Sequence, residues 1–196
     1  MKGIVWLASY PKSGNTWFRA FLANLLHGGE HPVDINSFGT NNFSARPGYD
    51  RALGWETSDL TLAEIAAARI AVQEVIAREE GAVFKVHEAF TDPRTEEPLF
   101  SVPATRAVLY FLRHPLDVAV SFSHHRGKDI DNTIARMNNP VAVMASNVDE
   151  LDVQLPQPLG SWSHHVQSWL DAPGLPVHVL RYEDMLARPQ EVFTAA

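Results

Sequence analysis

Four short apolar runs, each separated from the next by helix-forming stretches, constrain the fold of this chain more than any other feature. The runs are GIVWLAS at 3–9, AVFKV at 82–86, RAVLYFLR at 106–113 and VHVLRY at 177–182. Continuous apolar runs of this length are typical of strands that are buried on both faces, as in parallel sheets. We therefore predict an α/β fold with a central parallel β-sheet flanked by helices on both faces.

The stretches between these runs divide into predicted helices and irregular segments. Helices are predicted from the end of the first loop to Gly28, from 61 to about 78, from 115 to about 124, over 159–171 and from 189 onward. Their signals are aromatic residues at helical spacing, a TLAE capping box at 61–64, prolines at the first helical position and a terminating glycine. Segment 28–60 is predicted to be irregular, and segment 127–157 to be a lid-like insertion around a short helix.

Composition narrows the functional classes. The chain has 196 residues, which suits one domain, and a net charge of −7, which argues against a general nucleic-acid surface. It contains no cysteine, so disulfides and thiolate metal sites are excluded, and a cytoplasmic location is the simple expectation. No apolar run approaches the roughly 20 residues that a membrane-spanning helix needs, so no membrane association is expected.

A polar loop, ASYPKSGNT at 8–16, joins the first predicted strand to the first predicted helix. Loops at the carboxyl end of a buried strand are where α/β proteins bind ligands, and a helix amino terminus favours anions. Lys12 supplies charge, Gly14 allows a close approach of the backbone, and the polar side chains of residues 13–16 add hydrogen-bond donors. The loop predicts a P-loop-like phosphate site, although a plain turn with a helix cap also fits it. It is not a nucleotide P-loop, because its lysine precedes the glycine.

Two further groups of polar residues follow predicted strands. Arg113 ends the third strand, with Ser121 eight residues later, and a guanidinium with a hydroxyl suits a phosphate. An alternative for Arg113 is a surface ion pair with Asp117. Lys85 and His87 lie where the second strand ends, and imidazole is the usual base near neutral pH. A structural role for His87 is the alternative.

Taken together, these blocks resemble one known family. YPKSGNTW, KVH, LRHPLDVAVSFSHH, GSWSHHVQSWL and RYEDM occur in the order and approximate spacing of the cytosolic-type sulfotransferases that depend on 3′-phosphoadenosine 5′-phosphosulfate (PAPS), in a form that looks bacterial. The likeness runs from about residue 3 to residue 189. One difference is Asn15, where the commonest cytosolic form has a second threonine.

The resemblance implies a role for each matching residue. The loop formed by Lys12, Ser13, Gly14, Asn15, Thr16 and Trp17 would bind the 5′-phosphosulfate of PAPS, with Trp17 also stacking on the adenine. Arg113 and Ser121 would hold the 3′-phosphate, and Tyr182 would lie near the adenine. His87 would be the general base, Lys85 would lie at the acceptor site, and Lys12 would stabilise the leaving phosphate.

The implied reaction moves a sulfuryl group from PAPS to a hydroxyl or amine of a small-molecule acceptor and releases the 3′,5′-bisphosphate PAP. The leaving group is already activated as a mixed anhydride, so no metal is expected. The family's C-terminal motif, RKGxxGxW, does not occur in this sequence. We therefore expect residues 1–196 to be a single sulfotransferase domain that is truncated at its C-terminus. The oligomeric state stays open, with a homodimer as one possibility.

Three other functions share some of these sequence features. A kinase would need a P-loop lysine after the glycine and carboxylates for Mg²⁺, for which Asp184 is a candidate. A metal-dependent hydrolase is suggested by the doublets at 124–125 and 164–165, but adjacent histidines do not form the i, i+4 pair of a zinc site. A non-catalytic module could use the same pocket.

The acceptor is not identified, because the aromatic residues of the irregular segments and nearby loops fit an apolar acceptor or ordinary packing equally well; these are Phe38, Phe43, Trp55 and Phe90.

Overall fold

The computed structural model describes residues 2–29, 31–34, 41–146 and 152–196. The strands in this part are β1 (Ile4–Ser9), β2 (Asn41–Asn42), β3 (Val83–Val86), β4 (Thr105–Leu112), β5 (Val143–Met144), β6 (Gln157–Pro158) and β7 (Val177–Arg181). The helices are α1 (Asn15–His27), α2 (Arg46–Leu53), α3 (Leu62–Ile76), α4 (Pro115–Arg126), α5 (Ile130–Met137), α6 (Trp162–Leu170), α7 (Tyr182–Ala187) and α8 (Pro189–Ala195). A 3₁₀ turn at Thr57–Asp59 precedes α3.

The main sheet confirms the predicted α/β fold. Its strand order is β2-β3-β1-β4-β7, and each neighbouring pair is parallel. The four strands predicted from the apolar runs match β1, β3, β4 and β7 to within one residue at either end. Because these strands are parallel, their carboxyl ends lie along one edge of the sheet.

At β1 and the centre of β4 both faces of the sheet are buried, which explains why these runs are apolar along their length. Trp6 of β1 points to one face, where the core includes Val72 of α3 and Trp169 of α6. Leu7, the next residue, points to the other face, where it joins Phe18 of α1 and Phe193 of α8. Successive side chains of a strand alternate between faces, so one apolar run supplies both layers of the core. The prediction of helices on both faces is confirmed.

The local helix signals are confirmed. Gly28 ends α1 in a left-handed conformation, with φ of 60°, and its N–H donates to the Asn24 carbonyl at 3.1 Å. At the start of α3, the Thr61 hydroxyl accepts from the Glu64 N–H, and the Glu64 carboxylate accepts from the Thr61 N–H at 2.8 Å.

Among the described residues, no helix combines the length and apolar character needed to cross a bilayer.

The prediction that 28–60 is irregular is wrong in part. The segment contains β2, α2 and the 3₁₀ turn, and α2 exists because Tyr49 is buried against Phe43, with ring centroids 5.2 Å apart. That support comes from tertiary contacts, so the local sequence does not reveal it. Segment 127–157 contains the expected short helix, α5, and also the antiparallel pair β5–β6, which was not predicted. Residues 35–40, with Phe38, and 147–151 lie outside the described residues.

Candidate active site

Four chain segments meet at the carboxyl edge of the main sheet. They are the loop after β1, and the residues that follow β3, β4 and β7, namely His87, Arg113 and Tyr182. The sequence places these residues at strand ends, and the parallel sheet brings the strand ends together. The predicted site residues other than Ser121 therefore lie near this edge of the sheet.

The loop after β1 turns through two left-handed residues. Lys12 has φ of 71° and Gly14 has φ of 100°, and the Gly14 carbonyl accepts from the Trp17 N–H at 2.9 Å. Among the described residues, the backbone N–H groups of 13–16 have no acceptor. The helix cap is Gly14 itself, which offers no side-chain bond, so a polar side chain capping α1 is ruled out. Free N–H groups at a helix amino terminus form an anion-binding site.

Four polar atoms in or beside this loop are buried without a partner in the described structure: the donors Tyr10 Oη, Ser13 Oγ and Arg113 Nε, and the acceptor Asn15 Oδ1. Ser13 is 1% exposed, and its Oγ forms no hydrogen bond. Arg113 is partly exposed as a residue, but its Nε atom is buried and also forms no hydrogen bond. Buried polar groups of proteins are nearly always paired, so unpaired ones beside free N–H groups fit a bound anion. The loop residues present therefore suit a phosphate or sulfate ligand.

Asn15 has a different orientation from that of its neighbours. Its side-chain Nδ2 donates to the Leu7 carbonyl at 2.8 Å and to the Ser9 Oγ at 3.2 Å, both on β1. The side chain of Asn15 thus ties the start of α1 to the first strand. Its Nδ2 is therefore engaged with β1, and its Oδ1 has no partner in the described structure.

Arg113 connects the ends of three strands. Its Nη1 donates to the Lys12 carbonyl at 3.0 Å, and its guanidinium carbon lies 4.2 Å from the centre of the Tyr182 ring. Within the described structure Arg113 forms no ion pair with Asp117, so that alternative is wrong. The Trp17 ring lies on the same side, 6.1 Å from the Tyr182 ring.

Gly14 is required by both conformation and space. A Cβ at this position would lie 2.7 Å from Cδ2 of Tyr182, which is shorter than any normal contact. Its φ of 100° is also one that residues with a side chain rarely adopt. The close approach of loop and ring therefore depends on glycine.

His87 is oriented by the end of β1. Its Nδ1 lies 2.8 Å from the Ser9 carbonyl oxygen and 3.2 Å from the Ser9 Oγ. A carbonyl oxygen can only accept, so Nδ1 carries the proton and Nε2 of the neutral ring has a free lone pair. Burial, and then the nearby Lys85, hold the pKa of His87 well below its usual value, against a smaller opposite effect of the Ser9 carbonyl. The imidazole of His87 is thus uncharged at neutral pH.

A second histidine supports His87 from behind. The fully buried His165 donates from Nε2 to the His87 carbonyl at 3.0 Å, and its Nδ1 accepts from the Tyr110 hydroxyl at 2.9 Å. Burial lowers the pKa of His165 to about 3. Both ring nitrogens of His165 are thus bonded within the core, so this member of the doublet at 164–165 is packed in the interior. The described part of the chain holds no cluster of three or more residues suited to a metal.

Sequence reasoning missed the support that His165 and Tyr110 give to His87. His87 and His165 are 78 residues apart, and nothing in either local pattern pairs them. The only available signal was that His165 lies on a helix with Trp162 and Trp169 at core spacing, which indicates an inward face.

Lys85 and Ser121 are connected to the other site residues less directly. Lys85 is partly buried, and burial, followed by Arg19, lowers its pKa to about 8, although Glu88 acts in the opposite direction. Ser121 is partly exposed on α4, and among the described residues no hydrogen bond joins it to Arg113. Of the aromatic candidates, Phe43 and Phe90 are core residues.

Comparison with known proteins identifies the class that this fold and site define. Residues 2–194 match the family model described as "Sulfotransferase domain". The chain therefore belongs to the sulfotransferase family. This confirms the resemblance that the sequence motifs indicated.

Particular relatives can then be named. The chain is 27% identical over 194 residues to "Cytosolic sulfotransferase 1" of Arabidopsis thaliana, a match that covers 93% of this chain and 51% of the relative. The chain thus spans about half the length of that curated relative.

Solved structures show the same fold. The crystal structure of mouse sulfotransferase SULT7A1 complexed with PAP aligns with a TM-score of 0.52 at 16% identity, covering 100% of this chain and 57% of that one. Retinol dehydratase in complex with androsterone and inactive cofactor PAP aligns with a TM-score of 0.53 at 18% identity, covering 98% and 57%.

Proposed function

We propose that this chain forms the donor-binding and base-carrying part of a PAPS-dependent sulfotransferase. The observation that carries the proposal is the loop after β1, with its free N–H groups at the start of α1 and the neutral imidazole of His87 at the same sheet edge. Family membership supports it. The reaction would transfer a sulfuryl group to a hydroxyl or amine of a small-molecule acceptor, with PAP as the product.

The loop residues would hold the 5′ end of the donor. The backbone N–H groups of 13–16 and the Lys12 ammonium would bind the phosphosulfate, and the buried hydroxyl of Ser13 would gain its missing partner. Trp17 and Tyr182 would border the adenine. Arg113, with its unpaired Nε, and Ser121 would each bind the 3′-phosphate. In this arrangement Ser121 contacts the phosphate and does not need to contact Arg113.

His87 would take the proton of the acceptor. A bond forms between the acceptor oxygen or nitrogen and sulfur, while the bond from sulfur to the phosphate oxygen breaks and its electron pair stays on that oxygen. Nε2 accepts the released proton, and the Nδ1–H bond to the Ser9 carbonyl stabilises the imidazolium that results. General base catalysis of this kind contributes about 10²–10⁴-fold.

Lys12 and the loop N–H groups would stabilise the charge that builds on the leaving phosphate oxygen. They act more strongly in the transition state than in the ground state, because the charge is then greatest. Lys85, whose pKa is lowered to about 8, would lie on the acceptor side of His87.

The related proteins support the choice of ligands. Mouse SULT7A1 and retinol dehydratase were crystallised with PAP, and the latter also with androsterone or retinol, which are small molecules. The name of the Arabidopsis relative supports a cytoplasmic location. None of these names identifies the acceptor of this chain.

The test is a transfer assay with radiolabelled PAPS over phenols, sterols, carbohydrates and peptides, together with titration of PAP. We expect His87→Ala to retain PAP affinity and to lose transfer by at least about 100-fold. Lys12→Ala is expected to lose both. His178→Ala and Lys2→Ala, which change exposed residues outside the site, are the matched controls.

The outcomes separate the alternatives. Full transfer by the Lys12→Ala protein would contradict the role of the loop. PAP binding without transfer to any acceptor, unchanged by His87→Ala, would instead identify a non-catalytic binding module.

A further inference from the structure

A buried ion pair lies directly beside the proposed base. Arg69 of α3 and Glu88, the residue after His87, are 5% and 0% exposed, and Arg69 Nη1 lies 3.1 Å from Glu88 Oε1. Removing two charges from water is costly, so such a pair persists only where further hydrogen bonds satisfy it. Neither residue belongs to the sequence motifs that identify the site.

The Glu88 carboxylate uses both oxygens. Oε1 accepts from Arg69 and from the Ser44 hydroxyl, and Oε2 accepts from the backbone N–H of His87 at 3.1 Å. The Glu88 carbonyl in turn accepts from Trp169 Nε1 at 3.0 Å. The residue that follows His87 is therefore held on both its side chain and its backbone.

We propose that the Arg69–Glu88 pair is a positioning element for His87, an inference that rests on the proposed function. The His87 backbone is gripped at its N–H by Glu88 and at its carbonyl by His165. With the backbone fixed at both sides, the imidazole ring stays on the Ser9 carbonyl, and Nε2 keeps its lone pair toward the acceptor side. Catalytic groups must be held within about 0.5 Å of the productive geometry, which such supporting contacts provide.

Glu88 also connects to the two segments that were predicted to be irregular and lid-like, 28–60 and 127–157. Ser44, which bonds Glu88, accepts at its carbonyl from the Leu155 N–H at 2.7 Å. The neighbouring Arg46 donates from its N–H to the Val153 carbonyl at 3.0 Å and from Nε to the Asp152 carbonyl at 2.6 Å. Through Ser44, Glu88 therefore links His87 to both of these segments.

The test compares two double variants of the pair. In Arg69→Met/Glu88→Met the acceptor for the His87 N–H is lost, while Arg69→Met/Glu88→Gln removes both charges and keeps a side-chain oxygen. We expect the first to lower kcat about 10–100-fold, with PAP affinity within twofold of wild type, and the second to recover most of the rate. Spectra of ¹⁵N-labelled histidine should show the Nε2–H tautomer of His87 in the first variant only.

Gln73→Met is the matched control. Gln73 is buried on α3 one turn after Arg69, and its side chain bonds the Leu99 carbonyl and the Ser101 N–H, both at 2.8 Å, away from His87. It is expected to reduce thermal stability without changing the tautomer of His87 or kcat. Ser44→Ala, which removes only one bond to Glu88, serves if the first double variant does not fold, with a threefold fall in kcat expected.

The proposal is overturned if the Met/Met variant, or Ser44→Ala in its place, keeps the wild-type tautomer and rate. It is equally overturned if Gln73→Met reproduces the loss. Transfer would be measured with the best acceptor of the panel above. If the wild-type protein transfers sulfate to none, the proposed function fails, whereas the tautomer of His87 still reports on the positioning role.

Discussion

At the scale of single residues, the site depends on backbone conformation as much as on side-chain chemistry. Lys12 and Gly14 both adopt positive φ, which turns the chain so that consecutive N–H groups lie free at the start of α1. The motif YPKSGNTW indicates these residues, but the contact between Gly14 and Tyr182 joins positions that are 168 apart. A local pattern carries no information about that contact.

Gly14→Ala should weaken the binding of PAP. The added methyl would meet the Tyr182 ring at 2.7 Å, in a conformation that alanine resists, so the loop must shift. We expect at least a tenfold loss of PAP affinity, measured by titration calorimetry. Gly28→Ala is the control, since Gly28 also has positive φ but would meet no atom within 4 Å. Its cost should be about 1 kcal/mol of stability, with unchanged PAP affinity. Equal affinities for the two variants would contradict this account of Gly14.

At the scale of elements, local signals predicted those helices and strands whose ends and faces are written in neighbouring residues. The four apolar strands and the capped helix α3 belong to this group. The helix α2 and the pair β5–β6 do not, because they depend on contacts between separate segments, such as Tyr49 of α2 against Phe43 and the pairing of Val143 with Pro158. Short elements of this kind are stable only when tertiary packing supports them.

Thr61→Ala should weaken α3 without altering the site. The Thr61 hydroxyl accepts from the Glu64 N–H, and loss of such a cap costs about 0.5–2 kcal/mol. Urea denaturation should therefore show a lower free energy of unfolding, while PAP affinity stays within error of wild type. A change in PAP affinity would mean that α3 is coupled to the donor loop more strongly than its contacts suggest.

At the scale of the whole molecule, one sheet edge gathers the loop after β1 and His87, and the buried His165 lies behind that edge. The chain covers about half the length of its Arabidopsis relative. Burial of uncharged histidines makes the folded state sensitive to acid. His165, with Tyr110 and His87 as its partners, is the clearest case.

The stability of the protein should fall as the pH drops below 6.5. The pKa of His165 is about 3 in the folded protein and 6.5 in the unfolded chain, so between these values only the unfolded chain takes up the proton. The free energy of unfolding should decrease by up to about 1.4 kcal/mol per pH unit from this group, and no such effect is expected above pH 6.5.

Unfolding curves at pH 7.5, 6.0 and 5.0 would measure this slope. His165→Gln retains groups able to bond the His87 carbonyl and the Tyr110 hydroxyl but does not titrate, so its slope should be shallower. His178→Gln, at an exposed position, should keep the wild-type slope. Identical slopes for all three proteins would refute the assignment to His165.

The sequence by itself determined the fold class, the family and the positions of the loop, His87, Arg113 and Tyr182 at strand ends. These features follow from local patterns, since apolar runs, caps and motifs each lie within a few consecutive residues. Only the tertiary structure decided the tautomer of His87, the inward turn of the Asn15 side chain, and the buried pairing of Glu88 with Arg69. Each of these depends on hydrogen bonds between elements, whose partners are set by how the sheet and helices pack.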